Sequence, residues 1–382
     1  MGYLDYIIPI KNMDDFIVEN GQGMYLYDMS GKQYLDLNGG QFCAIFGHNN
    51  KDYQKLIDSY DNGLMHTNTT VISTSIVNAC KEIDKLAPEL KPASIILSTG
   101  TEALLFVQRL SKLIINKEII TTNDLSFLAL TYSTNQDTIK TISTPRLSKD
   151  IKQSLIEFEA IASTNEVAAF ICEPIISMGG GIFLDIDYLK QLRDICTKYN
   201  ILFIFDESQI GFGRTGSWFY YQQLDFIPDI VISAKALGNG LPISLVSINR
   251  DLLDYNDPIT SYATHQNPPF AGAVIQAGIK YIKNNNLLES NIQLGKYLLG
   301  SLAQLSLSNP IFQNARGKGL FNVVDIVSDD ITTGDKLYQY ALKKGIVLSI
   351  TPDKKAIRFV TPYIITQKQI DEVITVLNSF KP

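Results

Sequence analysis

Ile201-Leu202-Phe203-Ile204-Phe205 runs directly into Asp206-Glu207, and Ile230-Val231-Ile232-Ser233 runs into Ala234-Lys235-Ala236-Leu237-Gly238. Each run is short, apolar and rich in β-branched or aromatic residues, the pattern of a strand buried on both faces of a parallel sheet. Each ends in a charge. Open α/β sheets bind ligands in the crevice beyond the carboxyl ends of their strands, so Asp206 and Lys235 are placed to face one cleft. The two stand 29 residues apart, at 206 and 235. A surface lysine after a core strand is the ordinary fate of this residue type. A lysine for an aldehyde and a carboxylate for a pyridinium nitrogen are also what pyridoxal 5'-phosphate requires. The two strands alone leave both readings open.

The neighbouring sequence repeats the strand–helix alternation. Ala168-Ala169-Phe170-Ile171-Cys172 reads as a strand ending at Glu173-Pro174. A helix is predicted from about Asp187 to Tyr199, with Leu189, Leu192, Cys196 and Tyr199 on one face, Asp187 capping its start and Asn200 its end. Such units imply a parallel sheet with right-handed crossovers. The C-terminal hundred residues read as a second, smaller α/β unit. It has a strand from Phe321 to Val327, a helix from Thr333 to Lys343, strands around Val347 and Ile357, and a last helix from about Lys368 to Ser379. Gly211-Phe212-Gly213-Arg214-Thr215-Gly216 fits the spacing of a dinucleotide-binding loop. That loop needs a strand feeding its first glycine and a helix beginning at it, and neither is present in the pattern.

The chain has 382 residues, enough for two domains sharing a cleft. Hydrophobic residues make up 45% and charged residues 19%, a globular balance. Net charge is −6 with no basic cluster, which argues against nucleic acid and anionic membranes as partners. Cys43, Cys80, Cys172 and Cys196 are scattered, form no CxxC pair, and read as free thiols in a reducing compartment, with no metal site. Met1-Gly2-Tyr3-Leu4-Asp5 lacks the basic region of a signal peptide, and no apolar stretch is long enough for a membrane span. The expectation is a soluble cytoplasmic protein.

Asp206-Glu207-Ser208-Gln209-Ile210-Gly211-Phe212-Gly213-Arg214-Thr215-Gly216, Pro228-Asp229-Ile230 and Ser233-Ala234-Lys235-Ala236-Leu237-Gly238 closely resemble the core signature of class III aminotransferases. These are fold type I pyridoxal phosphate enzymes, among them the acetylornithine, ornithine and 4-aminobutyrate aminotransferases. The resemblance extends over nearly the whole chain. Its other parts are Tyr34-Leu35-Asp36, Gly47-His48, Ser98-Thr99-Gly100-Thr101-Glu102-Ala103, Glu173-Pro174, Thr264 with Pro269, Arg316-Gly317-Lys318-Gly319-Leu320 and Arg358-Phe359-Val360-Thr361-Pro362. In length the chain is most similar to the acetylornithine branch.

The resemblance implies an α/β fold in two domains. A large cofactor-binding domain, residues 49–280, has a mostly parallel seven-stranded sheet flanked by helices. A small α/β domain takes residues 1–48 and 281–382, with strands at Met24-Tyr25-Leu26-Tyr27 and Tyr34-Leu35-Asp36 joining the C-terminal unit. Lys235 matches the lysine that carries the cofactor and moves the substrate proton. Asp206 matches the carboxylate on the ring nitrogen, and Gln209 the side chain on the phenolic oxygen. Gly100 and Thr101 look like the phosphate cup, where a loop entering a helix aims backbone N–H groups at an anion. Thr264 matches a threonine that reaches the neighbouring subunit's phosphate, which implies a homodimer with shared active sites. Arg358 matches the arginine that holds a substrate carboxylate. The implied reaction passes an amino group from a small amino acid or amine to a 2-oxo acid by a ping-pong mechanism. Racemisation, epimerisation or amine migration on the same cofactor is an alternative. So is a degenerate homologue that serves as a partner subunit.

The departures lie at the substrate end. An aromatic–His–Gly motif, whose ring stacks on the cofactor, is represented by Phe127 with Leu128-Ala129 in place of His-Gly. Glu173-Pro174 is normally followed by Gln-Gly-Glu, whose glutamate pairs with the arginine matching Arg358. Here Ile176-Ser177-Met178 stands instead. Leu104-Leu105 replace a polar pair, and Ser208 replaces a small apolar residue.

Overall fold

The computed structural model describes residue 8 and residues 16–132, 138–146, 148–256 and 263–382. The N-terminal pentapeptide read above lies outside the described residues. In chain order the strands are β1 (Val18–Gln22), β2 (Tyr25–Asp28), β3 (Gln33–Asp36), β4 (Pro92–Leu97), β5 (Ile119–Asn123), β6 (Ile139–Ile142) and β7 (Val167–Cys172). They continue with β8 (Ile175–Ile176), β9 (Ile182–Phe183), β10 (Leu202–Asp206), β11 (Ile230–Ser233) and β12 (Ser244–Asn249). The last are β13 (Phe312–Lys318), β14 (Phe321–Ile326), β15 (Ile346–Val347), β16 (Ser349–Ile350) and β17 (Ala356–Phe359).

A seven-stranded sheet has the order β4-β12-β11-β10-β7-β5-β6. All its pairings are parallel except those of β12, which runs against both β11 and β4. The mostly parallel sheet expected from the sequence is therefore present. β7, β10 and β11 are buried at every residue. Their side chains alternate between two apolar clusters, one on each face. Phe203, Phe205 and Val231 join one cluster, and Leu202, Ile204, Ile230 and Ile232 the other. Burial on both faces is why these strands read as unbroken apolar runs.

The helix predicted from 187 runs Ile186–Lys198, and its cap is Asp185, not Asp187. The Asp185 carboxylate accepts from the N–H groups of Asp187 and Tyr188, while Asp187 falls in the first turn. Asn200 ends it as expected, in the left-handed conformation with φ 51°. The dinucleotide-like glycines lie in consecutive turns and no helix begins at them. The predicted helices near the C-terminus are Thr333–Lys343 and Gln367–Ser379. N- and C-terminal segments meet in one small sheet, β1-β2-β3-β15, where Leu35 pairs with Ile346 and Asp36 with Val347 in parallel. A second small sheet, β13-β14-β17-β16, carries Arg358. Among the described residues no helix is long and apolar enough to cross a membrane.

Candidate active site

Five strands deliver side chains to one edge of the large sheet because they share a direction. Asp206 ends β10, level with Ile232 of the adjacent β11, and Lys235 follows three residues later. β4 leads into Ser98-Thr99-Gly100-Thr101, β7 into Glu173, and β5 toward Phe127. A cavity of about 900 Å³ opens at that edge. Gly100, Thr101, Phe127, Asp206, Gln209, Lys235 and Arg358 all line it.

Asp206 is buried and Lys235 half-buried, and both line this cavity without forming an ion pair with each other. The Asp206 carboxylate accepts the Ser208 N–H at 3.0 Å. Burial pushes its pKa up, against the pull of Ser208 and of the Lys235 charge. Lys235 has φ 43°, a left-handed conformation uncommon outside glycine and frequent at functional sites. Burial drives its ammonium pKa down, opposed by the charges of Asp206 and Glu173. Glu173 lies behind the cavity wall. It accepts the Phe127 N–H, and the Gln209 amide donates to it at 3.4 Å, so one carboxylate orients two cavity residues. Burial and the neighbouring Asp206 push Glu173 up to about 8.

Gly100 and Thr101 open the helix Gly100–Ile115. The Thr99 hydroxyl caps the N–H of Glu102, and the Glu102 carboxylate accepts the Ser98 N–H at 2.8 Å. The first-turn N–H groups of Gly100 and Thr101 have no acceptor within the helix, and both residues line the cavity. A Cβ on Gly100 would meet Ala234 and the Ser208 hydroxyl at 3.4 Å, which fixes this turn closely against the Asp206 and Lys235 segments.

Sequence reasoning missed Phe42. Gly39, Gly40, Gln41 and Phe42 have φ of 54°, 56°, 56° and 75°, a full turn of left-handed backbone. Two non-glycine residues there cost about 1–2 kcal/mol each. The buried Asp36 carboxylate holds the turn by accepting the N–H groups of Asn38, Gly39 and Gly40 at 2.9, 3.0 and 3.2 Å, with His48 Nε2 at 3.1 Å. The Phe42 ring is thereby held between two cations, 4.9 Å from Lys235 Nζ and 5.5 Å from the Arg358 guanidinium carbon. Asp36→Ala removes the acceptor of one buried donor, at Gly39, and two partly buried ones, at Asn38 and Gly40, where a fully buried donor alone costs about 1–3 kcal/mol. The expected loss is about 3 kcal/mol in urea unfolding, with Asp36→Asn intermediate. Equal stabilities of Asp36→Ala and the parent would show that the turn needs no such clamp.

Arg358 is buried on β17 and donates to the hydroxyls of Ser177 and Ser349 at 3.2 Å each, with Met178 Sδ at 4.0 Å. Its Nε has no partner and it forms no ion pair among the described residues. Burial lowers its pKa to about 10. The segment that replaces Gln-Gly-Glu thus supplies a hydroxyl and a thioether, not a carboxylate. Thr264 lies elsewhere: with Ala263 and His66–Thr69 it lines a separate cavity of about 380 Å³.

The sequence of class III aminotransferases matches the chain over residues 9–380. The chain belongs to the class III aminotransferases. It is 30% identical to an acetylornithine aminotransferase of Clostridium acetobutylicum, covering 97% of each chain. It is 30% identical to ornithine aminotransferase 1 of Staphylococcus aureus, covering 96% of this chain and 93% of the relative. A transaminase from the marine bacterium Virgibacillus has the same fold, with a TM-score of 0.90 at 24% identity over 98% and 96% of the two chains. N-acetylornithine aminotransferase from Stenotrophomonas maltophilia superposes with a TM-score of 0.82 at 23% identity, covering 96% of each. As a class III aminotransferase the protein is a pyridoxal phosphate enzyme that moves amino groups between a donor and a 2-oxo acid. Of the readings open at the level of sequence, amino-group transfer is the one the family supports.

The cavity fits that cofactor. A buried carboxylate and a half-buried amine line the same space without pairing, and the first residues of a helix line it too. Its volume falls in the range of about 300–1,000 Å³ usual for small-molecule sites.

Proposed function

We propose that Lys235 carries the cofactor and is the base that moves the substrate proton. Asp206 faces the ring nitrogen, Gln209 the phenolic oxygen, Phe127 one flank of the ring, and Gly100 with Thr101 the phosphate. When bound, pyridoxal phosphate supplies an aldehyde that condenses with amines and a cationic ring that withdraws electrons. The observation that carries this reading is the unpaired placement of Asp206 and Lys235 beyond adjacent parallel strands on one cavity. Burial keeps Lys235 nearer its neutral, proton-accepting form than an exposed lysine. The test is borohydride reduction of the loaded enzyme followed by peptide mapping. The pyridoxyl label is expected on Lys235, and a label on any other lysine would sink the assignment.

Arg358 holds an anionic group of the substrate in both half-reactions. A desolvated guanidinium without a carboxylate partner costs several kcal/mol, on the order given for broken buried pairs. No protein glutamate takes that role at Ser177-Met178. Simple diamines and arylalkylamines are therefore expected to be poor donors, by about 100-fold relative to matched amino acids, as two charge-assisted hydrogen bonds suggest. Half-reactions of amino acids against their decarboxylated amines check this, and equal rates would defeat it.

The active unit is a homodimer in which Thr264 of each subunit approaches the other's phosphate. Two features support this. Thr264 stands apart from the Lys235 cavity of its own chain. The segment beside it also exposes Leu64, Met65, Val71 and Ile72, an apolar surface of the kind that marks association. Residues 49–280 act as the large domain and residues 1–48 with 281–382 as the small one. The free, buried thiols of Cys172 and Cys196 suit a cytoplasmic setting.

A further inference from the structure

We infer that Arg316 is a positioning residue for substrate binding: it pins the loop of residues 177–181, and that loop orients Arg358; this rests on the placement of Arg358 proposed above. In the sheet β13-β14-β17-β16, Arg316 pairs with Val323, Val323 with Arg358, and Arg358 with Ser349. Directly opposed residues of antiparallel strands stand on the same face of a sheet. Arg316, Val323, Arg358 and Ser349 therefore form one cross-strand row, with the two arginines about 10 Å apart at the backbone.

The loop lies over that row. It connects β8 to β9, which pair as a two-stranded hairpin. At one end of the loop Arg358 donates to the Ser177 hydroxyl. At the other, Arg316 Nε donates to the Gly181 carbonyl at 2.9 Å and Nη2 to the Gly180 carbonyl at 2.7 Å. Within the loop the Gly181 N–H closes back onto the Ser177 carbonyl at 3.2 Å, which ties the two ends together. A Cβ on Gly181 would meet Val323 Cγ2 at 2.6 Å, and one on Gly179 would meet Leu125 Cβ at 2.7 Å. The loop is thus wedged between β14 and the segment that leads to Phe127, and glycine alone fits at those two points.

Arg316 is itself held. Its Nη1 donates to the Asn314 carbonyl at 2.8 Å and pairs with the Asp325 carboxylate at 2.8 Å. With one side of the guanidinium fixed there, the planar fork presents its remaining N–H groups to two successive carbonyls of the loop, which a lysine could not match. Arg358 depends on this support because its protein partners are two separate hydroxyls, those of Ser177 and Ser349. A carboxylate would fix the guanidinium by two parallel bonds to one rigid group. Two hydroxyls fix it only as firmly as their own backbones are held. Met178 and Arg358 line the cavity and Arg316 does not, so Arg316 acts on substrate through the loop.

The test titrates the cofactor-loaded enzyme with butyrate and with butyramide, followed by the cofactor's absorbance band. The two probes differ in a carboxylate against a neutral amide, so the ratio of their dissociation constants reads the contact at Arg358 without amino transfer. Arg316→Met is expected to lower the preference for butyrate about tenfold, the scale of one charge-assisted contact. KM for amino acids should rise by about as much while kcat stays within about twofold. Arg316→Lys keeps the cation and can bond one carbonyl, so it should lose less, and it reads the same ratio where Arg316→Met does not fold. Asp325→Asn removes the ion pair but neither loop bond, and should keep most of the preference. In the Arg358→Met background, Arg316→Met should have no further effect, since it acts through Arg358. A preference unchanged in Arg316→Met and Arg316→Lys, a fall in kcat with KM unchanged, or a loss that adds in full to that of Arg358→Met overturns the inference. Arg358→Met separates the underlying reading. If it lowers the preference and the Arg316 variants do not, this inference alone falls. If it leaves the preference intact, the placement of Arg358 falls, and the inference with it.

Discussion

Lys235→Met is expected to lower kcat for amino transfer by about 10² to 10⁴, the usual contribution of a positioned proton-transfer group, while the protein still folds and takes up cofactor without a covalent link. Lys235 is held in a left-handed conformation after a fully buried strand, with its amine over the Phe42 ring. A methionine fills the same volume without a basic nitrogen. Small primary amines added to the variant should restore part of the rate, because the missing element is a base and not a shape. The sign of the pH effect in the parent follows from burial. In the role proposed for Lys235 the acting form is the neutral amine, present above the folded-state pKa, and burial lowers that pKa. The acid limb of the rate profile should therefore lie at lower pH than an ordinary lysine would give. Single-turnover absorbance kinetics measure both effects. A variant within tenfold of the parent would mean that another group moves the proton.

The contrast between legible and illegible parts has physical causes. Asp206 and Lys235 were readable because a strand buried on both faces must be apolar throughout, so a charge marks its end sharply. The pairing of both chain ends in β3 and β15 came from resemblance, since neither strand's pattern names its partner. The cap of the helix Ile186–Lys198 was misplaced by two residues. Two aspartates stand at its start, and only backbone geometry shows that Asp185 lies outside the helix and can reach back. Phe42 was invisible because Gln41 and Phe42 adopt a conformation their own propensities oppose, imposed by the Asp36 carboxylate. The Gly39-Gly40 pair, three residues after Asp36, was the available signal. The setting of Arg358 is long-range. Ser177 lies 181 residues away in sequence, and no local pattern records that contact.

Asp206→Asn is expected to slow amino transfer by about three orders of magnitude. A charge pair at about 4 Å in an effective dielectric near 20 is worth roughly 4 kcal/mol. Each 1.36 kcal/mol is about tenfold in rate. The proposed role of Asp206 is to hold a proton on the ring nitrogen, and an amide cannot balance that charge. The fold should not suffer. Asparagine is nearly isosteric, its carbonyl oxygen can still accept the Ser208 N–H, and a buried carboxylate whose pKa burial has raised is replaced by a neutral group. Thermal unfolding without cofactor should therefore be unchanged or shifted upward, while the half-reaction slows. This pairing of outcomes separates a chemical role from a structural one. A variant that loses rate and stability together would point to collapse of the strand end. A variant that keeps its rate would show that another acid supplies the charge. Glu173 is the nearest candidate, since it is buried, is raised by the charge of Asp206, and already holds Gln209. In that event Glu173→Gln in the Asp206→Asn background should abolish the remaining activity. If the proposed role is right, Glu173→Gln alone should act mainly through the orientation of Gln209 and Phe127. Its effect should then be smaller than that of Asp206→Asn.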